Sequence, residues 1–407
     1  MASFKKDIQY YKFSAYGFLK NLRFFDAFFI LFLVDKGLSY SQIGLLYAVR
    51  EITINIFELP SGIIADTYGR KTALAYSFLA YILSFIVFYF SGKFFFFLAA
   101  FVLFGIADAF RSGTHKGMIM DYLKLNGWEK FKINYYGHTR SWSQTGSALS
   151  SLAGGLIVFI SANYSSVFIY SVVPYLLNLL LIISYPNELN SSIKKKSKNE
   201  GHGFLTAVKM FFRTVKQPRL LKLIYTSANH TAYLKAVKDY IQPVMMHVAL
   251  MIPVFMSMEK DKKTGIFIGV FYFIIYILTS KASQLSAVFT DRYKHRVANI
   301  TLFIGFTSGI LAGVFWIKEL WVPALITFAG IYIAENIRKP ALTGFVADNT
   351  PNEILTSVIS AQSLLKTVLT SVMALAFGVI AQYSGIGAAL FSVSLMLLII
   401  SVININR

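Results

Sequence analysis

The sequence predicts an all-α polytopic membrane protein: a bundle of twelve transmembrane helices made of two pseudo-symmetric six-helix halves. Three observations carry that fold class. The 407-residue chain is 56% hydrophobic and only 14% charged, with a mean hydropathy of +0.58, more apolar surface than a soluble domain of this length can hide. Apolar runs of about 20 residues, enough at about 1.5 Å per residue to cross a hydrocarbon core of about 30 Å, recur along the whole chain. Two stretches, Ser61–Lys71 (SGIIADTYGRK) and Ser286–Arg296 (SAVFTDRYKHR), are versions of one motif 225 residues apart. An offset longer than half the chain marks two homologous halves.

The apolar runs fall at 14–34, 43–64, 72–91, 94–117, 138–161, 165–185, 219–246, 265–289, 297–316, 320–346, 354–383 and 386–404. A second repeat supports the duplication. Asp108, Arg111 and Asp121 recur as Glu335, Arg338 and Asp348 at an offset of 227. The polar break Pro186–Gln217, with SSIKKKSKNEGHG inside it, reads as a solvated cytoplasmic linker carrying an interfacial helix around Phe204–Lys216. It separates an N-terminal bundle, 1–185, from a C-terminal bundle, 218–407. Ile241–Lys263 is too long for a turn and holds two prolines, which places a helix end or kink near Pro243 and an outer-face segment after it.

The net charge of +20 raises nucleic acid as a partner, but the basic residues sit in alternate loops. Lys5, Lys6 and Lys12, Arg70–Lys71, Lys124–Lys132, Lys194–Lys222 and Arg292–Arg296 all fall on one side when the helices alternate. That positive-inside asymmetry puts both termini in the cytoplasm, in an inner or plasma membrane, and excludes a nucleic-acid role. The absence of cysteine excludes disulfides, thiolate metal sites and cysteine nucleophiles. The polar start MASFKKDIQYYK leads into a full-length span rather than a cleavable signal. No phosphate-binding loop, nucleophile elbow or metal-ligand spacing is present. The reading at this point is a membrane protein without enzymatic site, cofactor or metal, monomeric in the lipid bilayer.

Gly62, Asp66, Gly69, Arg70 and Lys71 lie at the end of the second span and in the connection to the third. In place and spacing they resemble the signature of the major facilitator superfamily. The second copy keeps Asp291 and Arg296, with Lys294 and His295 where Gly69 and Arg70 stand. Gly62 and Gly69 suit a tight loop and close helix approach, and Asp66 and Arg70 can pair with each other or with helix termini. The resemblance implies that this cluster, with Arg338 and Asp348 in the second half, latches the halves in one of two alternating-access states. It departs from the drug–proton antiporters of that family. Gly146, Gly154 and Gly155 match their fifth-helix motif, but Ser150 and Ser151 replace its Gly-Pro. These small residues still permit close packing.

Ionisable residues inside spans mark pathways or paired charges. Glu51, Asn55 and Glu58 share one face of the second span, as do Asp108, Arg111 and His115 on the fourth. The resemblance makes Arg111 the candidate for a helix-four arginine linked to proton coupling, and the Asp108/Arg111 spacing also suits a self-neutralising structural pair. Asp26 and Lys366 fall midway along the first and eleventh spans, and Lys366 is too deep to snorkel easily. The seventh adds His230, Lys235, Lys238 and Asp239. Histidines such as His115 could carry the coupling proton. Asp26, Glu51, Asp108, Arg111, His115 and Lys366 are the candidates for substrate or proton contact. The expected function is alternating-access transport of a small solute, anionic or zwitterionic, coupled to a proton or other ion. A multidrug/proton efflux antiporter and a non-transporting sensor of the same fold are the alternatives.

Overall fold

Local capping sets where the first helices begin. The Asp7 carboxylate accepts from Tyr10 N at 2.8 Å and starts a helix at Ile8. Ser39 and Gln42 form a reciprocal capping box that starts another at Tyr40. The computed structural model describes residues 6–112, 114–190, 218–253, 258–348 and 352–406. The expected interfacial helix at Phe204–Lys216, and the side chains of Asp66 and Asp348, lie outside the described residues.

Twelve crossings account for the helices. Span 1 comprises Ile8–Lys20 and Phe29–Asp35, span 2 is Tyr40–Tyr68 and span 3 is Arg70–Phe90. Span 4 comprises Phe94–Arg111 and Thr114–Leu125; spans 5 and 6 are Lys132–Ser161 and Ser166–Ile183. Span 7 comprises Pro218–Val237 and Ile241–Met251; spans 8, 9 and 10 are Lys260–Tyr293, Val297–Ile317 and Trp321–Asp348. Spans 11 and 12 run together as Asn352–Asn406, divided at Gly385, whose φ of 85° no other residue type adopts cheaply.

Two spans depart from regular helix, the first of them against the sequence reading. Span 1 is not one continuous helix over 14–34; it unwinds after Lys20 and resumes at Phe29. Span 7 tightens into a 3₁₀ turn at Lys238–Tyr240, so the kink expected near Pro243 falls just before it. Pro243 lies in the first turn of the continuing helix, where a missing N–H costs little.

Among the described residues, seven stretches have the length and hydropathy to cross a membrane. One of them, Ala361–Ile403, contains both span 11 and span 12. The four crossings that fail are spans 1, 2, 7 and 10. Spans 1 and 7 are broken, span 2 carries Arg50, Glu51 and Glu58, and span 10 carries Glu335, Arg338 and Lys339. Polarity inside a span and irregular backbone are tolerated where the helix lines a cavity or is buried in protein.

The first half packs around aromatic rings seated on the break in span 1. Phe25, Phe28 and Phe32 are fully buried, with Phe25 stacked on Phe168 at 5.2 Å and Phe32 against it at 4.5 Å. The halves meet through glycines. A Cβ on Gly44 of span 2 would stand 2.5 Å from Ala374 O and 3.0 Å from Gly378 Cα on span 11. On the other flank, Gly155 of span 5 would meet Gly265 O at 2.6 Å and Gly269 Cα at 3.0 Å on span 8. Both seams lie toward the face opposite the basic loops. There Tyr40 N also donates to Gln382 Oε1 at 2.9 Å. The cavities between the halves are lined instead from the basic-face portions of the spans, by residues such as Glu58, Gln144, Gln284 and Lys366. The molecule is closed on one face and open on the basic one.

Filling a glycine seam with a side chain costs about 1–3 kcal/mol, and each 1.4 kcal/mol shifts a two-state ratio about tenfold. In this cysteine-free chain, Ser363→Cys reports from the central cavity wall. Adding Gly44→Leu is expected to raise its labelling by an impermeant maleimide from the closed face about tenfold. Unchanged labelling would show that the seam is not the closure.

Candidate central cavity

The break in span 1 is held open by one side chain of span 7. Gln242 is fully buried. Its Oε1 accepts from Ile30 N at 2.9 Å and Leu31 N at 3.4 Å, and its Nε2 donates to Asp26 O at 2.9 Å. Backbone groups that the helix leaves unpaired are thereby satisfied inside the membrane. The unwound turn brings Arg23 and Asp26 to the wall of a cavity of about 340 Å³.

Three clusters of charge surround it. Asp108 accepts from Tyr81 Oη and from Arg111 Nη2 at 3.0 Å, with Arg23 Nη2 at 3.7 Å. Arg111 Nε also donates to Tyr81 Oη at 2.9 Å, and Arg23 Nε to Tyr175 Oη at 2.9 Å. Glu51, with no exposure, binds Arg50 at 3.2 Å and, across the halves, Lys235 Nζ at 2.5 Å. Asp239 accepts from Tyr47 Oη of the opposite half at 2.8 Å and faces Lys238 Nζ at 3.4 Å. Asp26, Glu58 and Lys366 also line the cavity. Their charged groups have no hydrogen bond or ion pair within 4.0 Å among the described residues. The site therefore holds its pairs in place and leaves two carboxylates and one ammonium uncommitted.

The family model of the Major Facilitator Superfamily matches residues 21–374. This chain belongs to the Major Facilitator Superfamily. An uncharacterized MFS-type transporter of Bacillus subtilis (strain 168), YxaM, is 24% identical over 396 residues, covering 96% of this chain and 93% of that protein. The solved nucleoside transporter NupG superposes with a TM-score of 0.76 at 14% identity, over 98% of this chain and 97% of its own. A bacterial homologue of the human lysosomal transporter Spinster, solved inward-facing and unoccupied, gives 0.72 at 14% identity over 98% of this chain and 96% of its own.

Within this MFS architecture the two repeats have diverged. Asp108 and Arg111 face the central cavity, whereas Glu335 and Arg338 are sealed inside the second bundle. Glu335 accepts from Thr231 Oγ1 at 2.5 Å and lies 2.8 Å from His230 Nδ1. Arg338 turns away, donating to Ala298 O, Thr226 O and, at 3.0 Å, Thr301 Oγ1. His115 does not share the face of Asp108 and Arg111. Span 4 is interrupted after Arg111, so helical register is lost. The His115 ring stacks on Tyr16 at 3.5 Å and lines a separate cavity inside the first half.

The signature residues bind within their own half. Gly69 has φ +97° and lies against Asn190, where any side chain would clash. Arg70 Nη1 donates to Asp121 Oδ2 at 2.6 Å across Gly117, and Lys71 Nζ to Tyr185 O at 2.8 Å. Gly62 makes no close helix approach, since a Cβ there would meet nothing within 4 Å. Asp291 and Arg296 are exposed and have no ion pair among the described residues. Sequence reasoning underrated Arg23, Arg50 and Gln242. The two arginines inside apolar runs were a usable signal; Gln242 gave none, because its partners are backbone atoms of another half.

Leaving buried backbone groups unpaired costs about 1–3 kcal/mol each. Gln242→Leu is accordingly expected to lower the melting temperature of the purified protein by several degrees. Breaking a buried ion pair from one side costs about 3–5 kcal/mol. Glu51→Gln should therefore destabilise strongly, while Glu58→Gln, which breaks no pair, leaves the melting temperature unchanged. Equal melting temperatures for all three variants would contradict both assignments.

Proposed function

We propose that this MFS transporter moves a small anionic or zwitterionic solute by proton-coupled alternating access across a plasma (inner) membrane. The observation that carries this reading is the cavity between the halves with its three uncommitted groups, Asp26, Glu58 and Lys366. A membrane-embedded carboxylate without a partner is costly when charged, so it is suited to bind and release a proton as its surroundings change. Lys366 offers a charge to an anionic group of the solute. The basic face is read as cytoplasmic, with both termini there, which makes this an inward-open state. Rocking of the halves around the central cavity would bring the rim residues Asp66, Arg70 and Asp291 together and open the glycine seams. In that cycle Glu51–Lys235 and Tyr47–Asp239 are among the polar bonds between halves that must rearrange. Arg338 serves as scaffold in its own bundle. A lining this heavily charged is poorly suited to the lipophilic cations of multidrug efflux.

Reconstituted into proteoliposomes, the protein is expected to accumulate an organic acid or amino acid when an inward proton gradient is imposed. A protonophore should abolish the accumulation. Asp26→Asn or Glu58→Gln should retain exchange but lose gradient-driven accumulation. Transport indifferent to both the pH gradient and the membrane potential would refute proton coupling.

A further inference from the structure

Arg50 of span 2 lines the central cavity, and its side chain is only 10% exposed. A guanidinium carries five N–H donors in a rigid planar fork. Among the described residues Arg50 uses one of them. Its Nη2 donates to Glu51 Oε1 at 3.2 Å, and its buried Nε has no acceptor. Unused donors inside a membrane are costly unless water or a ligand meets them.

The charge of Arg50 is incompletely neutralised as well. Glu51 lies beside it, but the other oxygen of that carboxylate binds Lys235 Nζ at 2.5 Å. Neither cation has another carboxylate within 4.0 Å among the described residues. Two cations thus share one buried anion, and the trio holds a positive charge in excess. Such a group favours an anionic ligand.

The guanidinium is held in one pose. Its carbon lies 4.9 Å from the Tyr47 ring centroid and 5.8 Å from that of Phe104. The Tyr47 ring is itself fixed by its hydroxyl, which donates to Asp239. A guanidinium set over rings keeps its N–H edge for a planar, bidentate acceptor. Ile54 follows one turn later on the same stripe of span 2, toward the open basic face, and also lines the cavity. Phe29 and Phe104 add further apolar wall.

We infer that Arg50 anchors the anionic group of the solute, a carboxylate or a phosphate monoester, and that the solute's body is a hydrocarbon lying against Ile54 and Phe104. This rests on the transport reading above and names its substrate class. Lys366, a flexible point charge on the same cavity, draws the anion in, whereas the fork of Arg50 fixes its orientation.

The test is calorimetric titration of the purified full-length protein with butyrate, butyl phosphate, butyramide and gluconate. Butyrate or butyl phosphate should bind at least about tenfold more tightly than butyramide, which lacks the charge, and than gluconate, whose body is hydroxylated. Whichever of the two binds more tightly tells which oxyanion is held. Arg50→Lys keeps a charge beside Glu51 but loses the fork, and should weaken that anion about tenfold. Ile54→Ser should narrow the gap between the alkyl anion and gluconate. If Arg50→Lys does not fold, the ranking of the probes and the Ile54 variant decide alone. Failure of both alkyl anions to bind, a ranking led by butyramide or gluconate, an unchanged gap in Ile54→Ser, or full affinity in folded Arg50→Lys overturns the inference. Proton-driven uptake of some other solute, unaffected by Arg50→Lys, also overturns it but leaves the transport reading standing. Binding that depends on Arg50 with no gradient-driven uptake keeps the anchor and removes the transport reading.

Discussion

The fold turns on the seating of Gln242 in the break of span 1. A membrane interior offers no water to an unpaired peptide group, so an unwound turn survives there only if protein atoms complete its hydrogen bonds. Gln242 supplies an acceptor to Ile30 and Leu31 and a donor to the Asp26 carbonyl. The turn then carries Arg23 and Asp26 into the cavity while the rings around it stay packed. Because Gln242 comes from the other half, the same contact also joins the two bundles, just beyond the break in span 7.

The charges follow a related logic. Burying an ion is expensive unless it is paired, and pairing across a movable interface makes stability depend on conformation. Lys235 with Glu51, and Tyr47 with Asp239, are pairs of this kind. Asp108 with Arg111 is a pair within one half, stiffened by Tyr81 and Arg23. The duplicated pair Glu335 and Arg338 has been drawn entirely into its bundle, Glu335 bound by His230 and Thr231 and the two Nη atoms of Arg338 by backbone carbonyls and Thr301. One ancestral arrangement thus serves as cavity wall in one half and as internal scaffold in the other. A repeat in sequence identifies equivalent positions without assigning them equivalent work.

Helix number, duplication and family membership were legible in the chain because each depends on local composition or on spacing along it. The same is true of the glycines Gly154 and Gly155, whose small size announced close packing that the structure realises against Phe24 and Gly265. Site residues were less legible. Asp26, Asp108, Arg111 and Lys366 stood out as charges in apolar runs and do line the cavity. His115 looked equivalent by helical periodicity, yet the interruption of span 4 directs it elsewhere. Periodicity holds only while the helix continues, and Ser112-Gly113-Thr114 is a local breaker signal that the spacing argument passed over.

What the sequence determined by itself is the solvent each segment prefers: apolar runs long enough for a bilayer, basic loops for one face, and two copies of one plan. Those are properties of single segments, set by transfer free energy and charge. Only the tertiary structure decided which face is closed, which charges are already neutralised and which remain for a solute. These outcomes depend on pairs drawn from separate halves, such as Gly44 with Gly378 and Glu51 with Lys235. Close backbone contact and ion pairing act over a few ångströms, a scale on which distance along the chain carries no information.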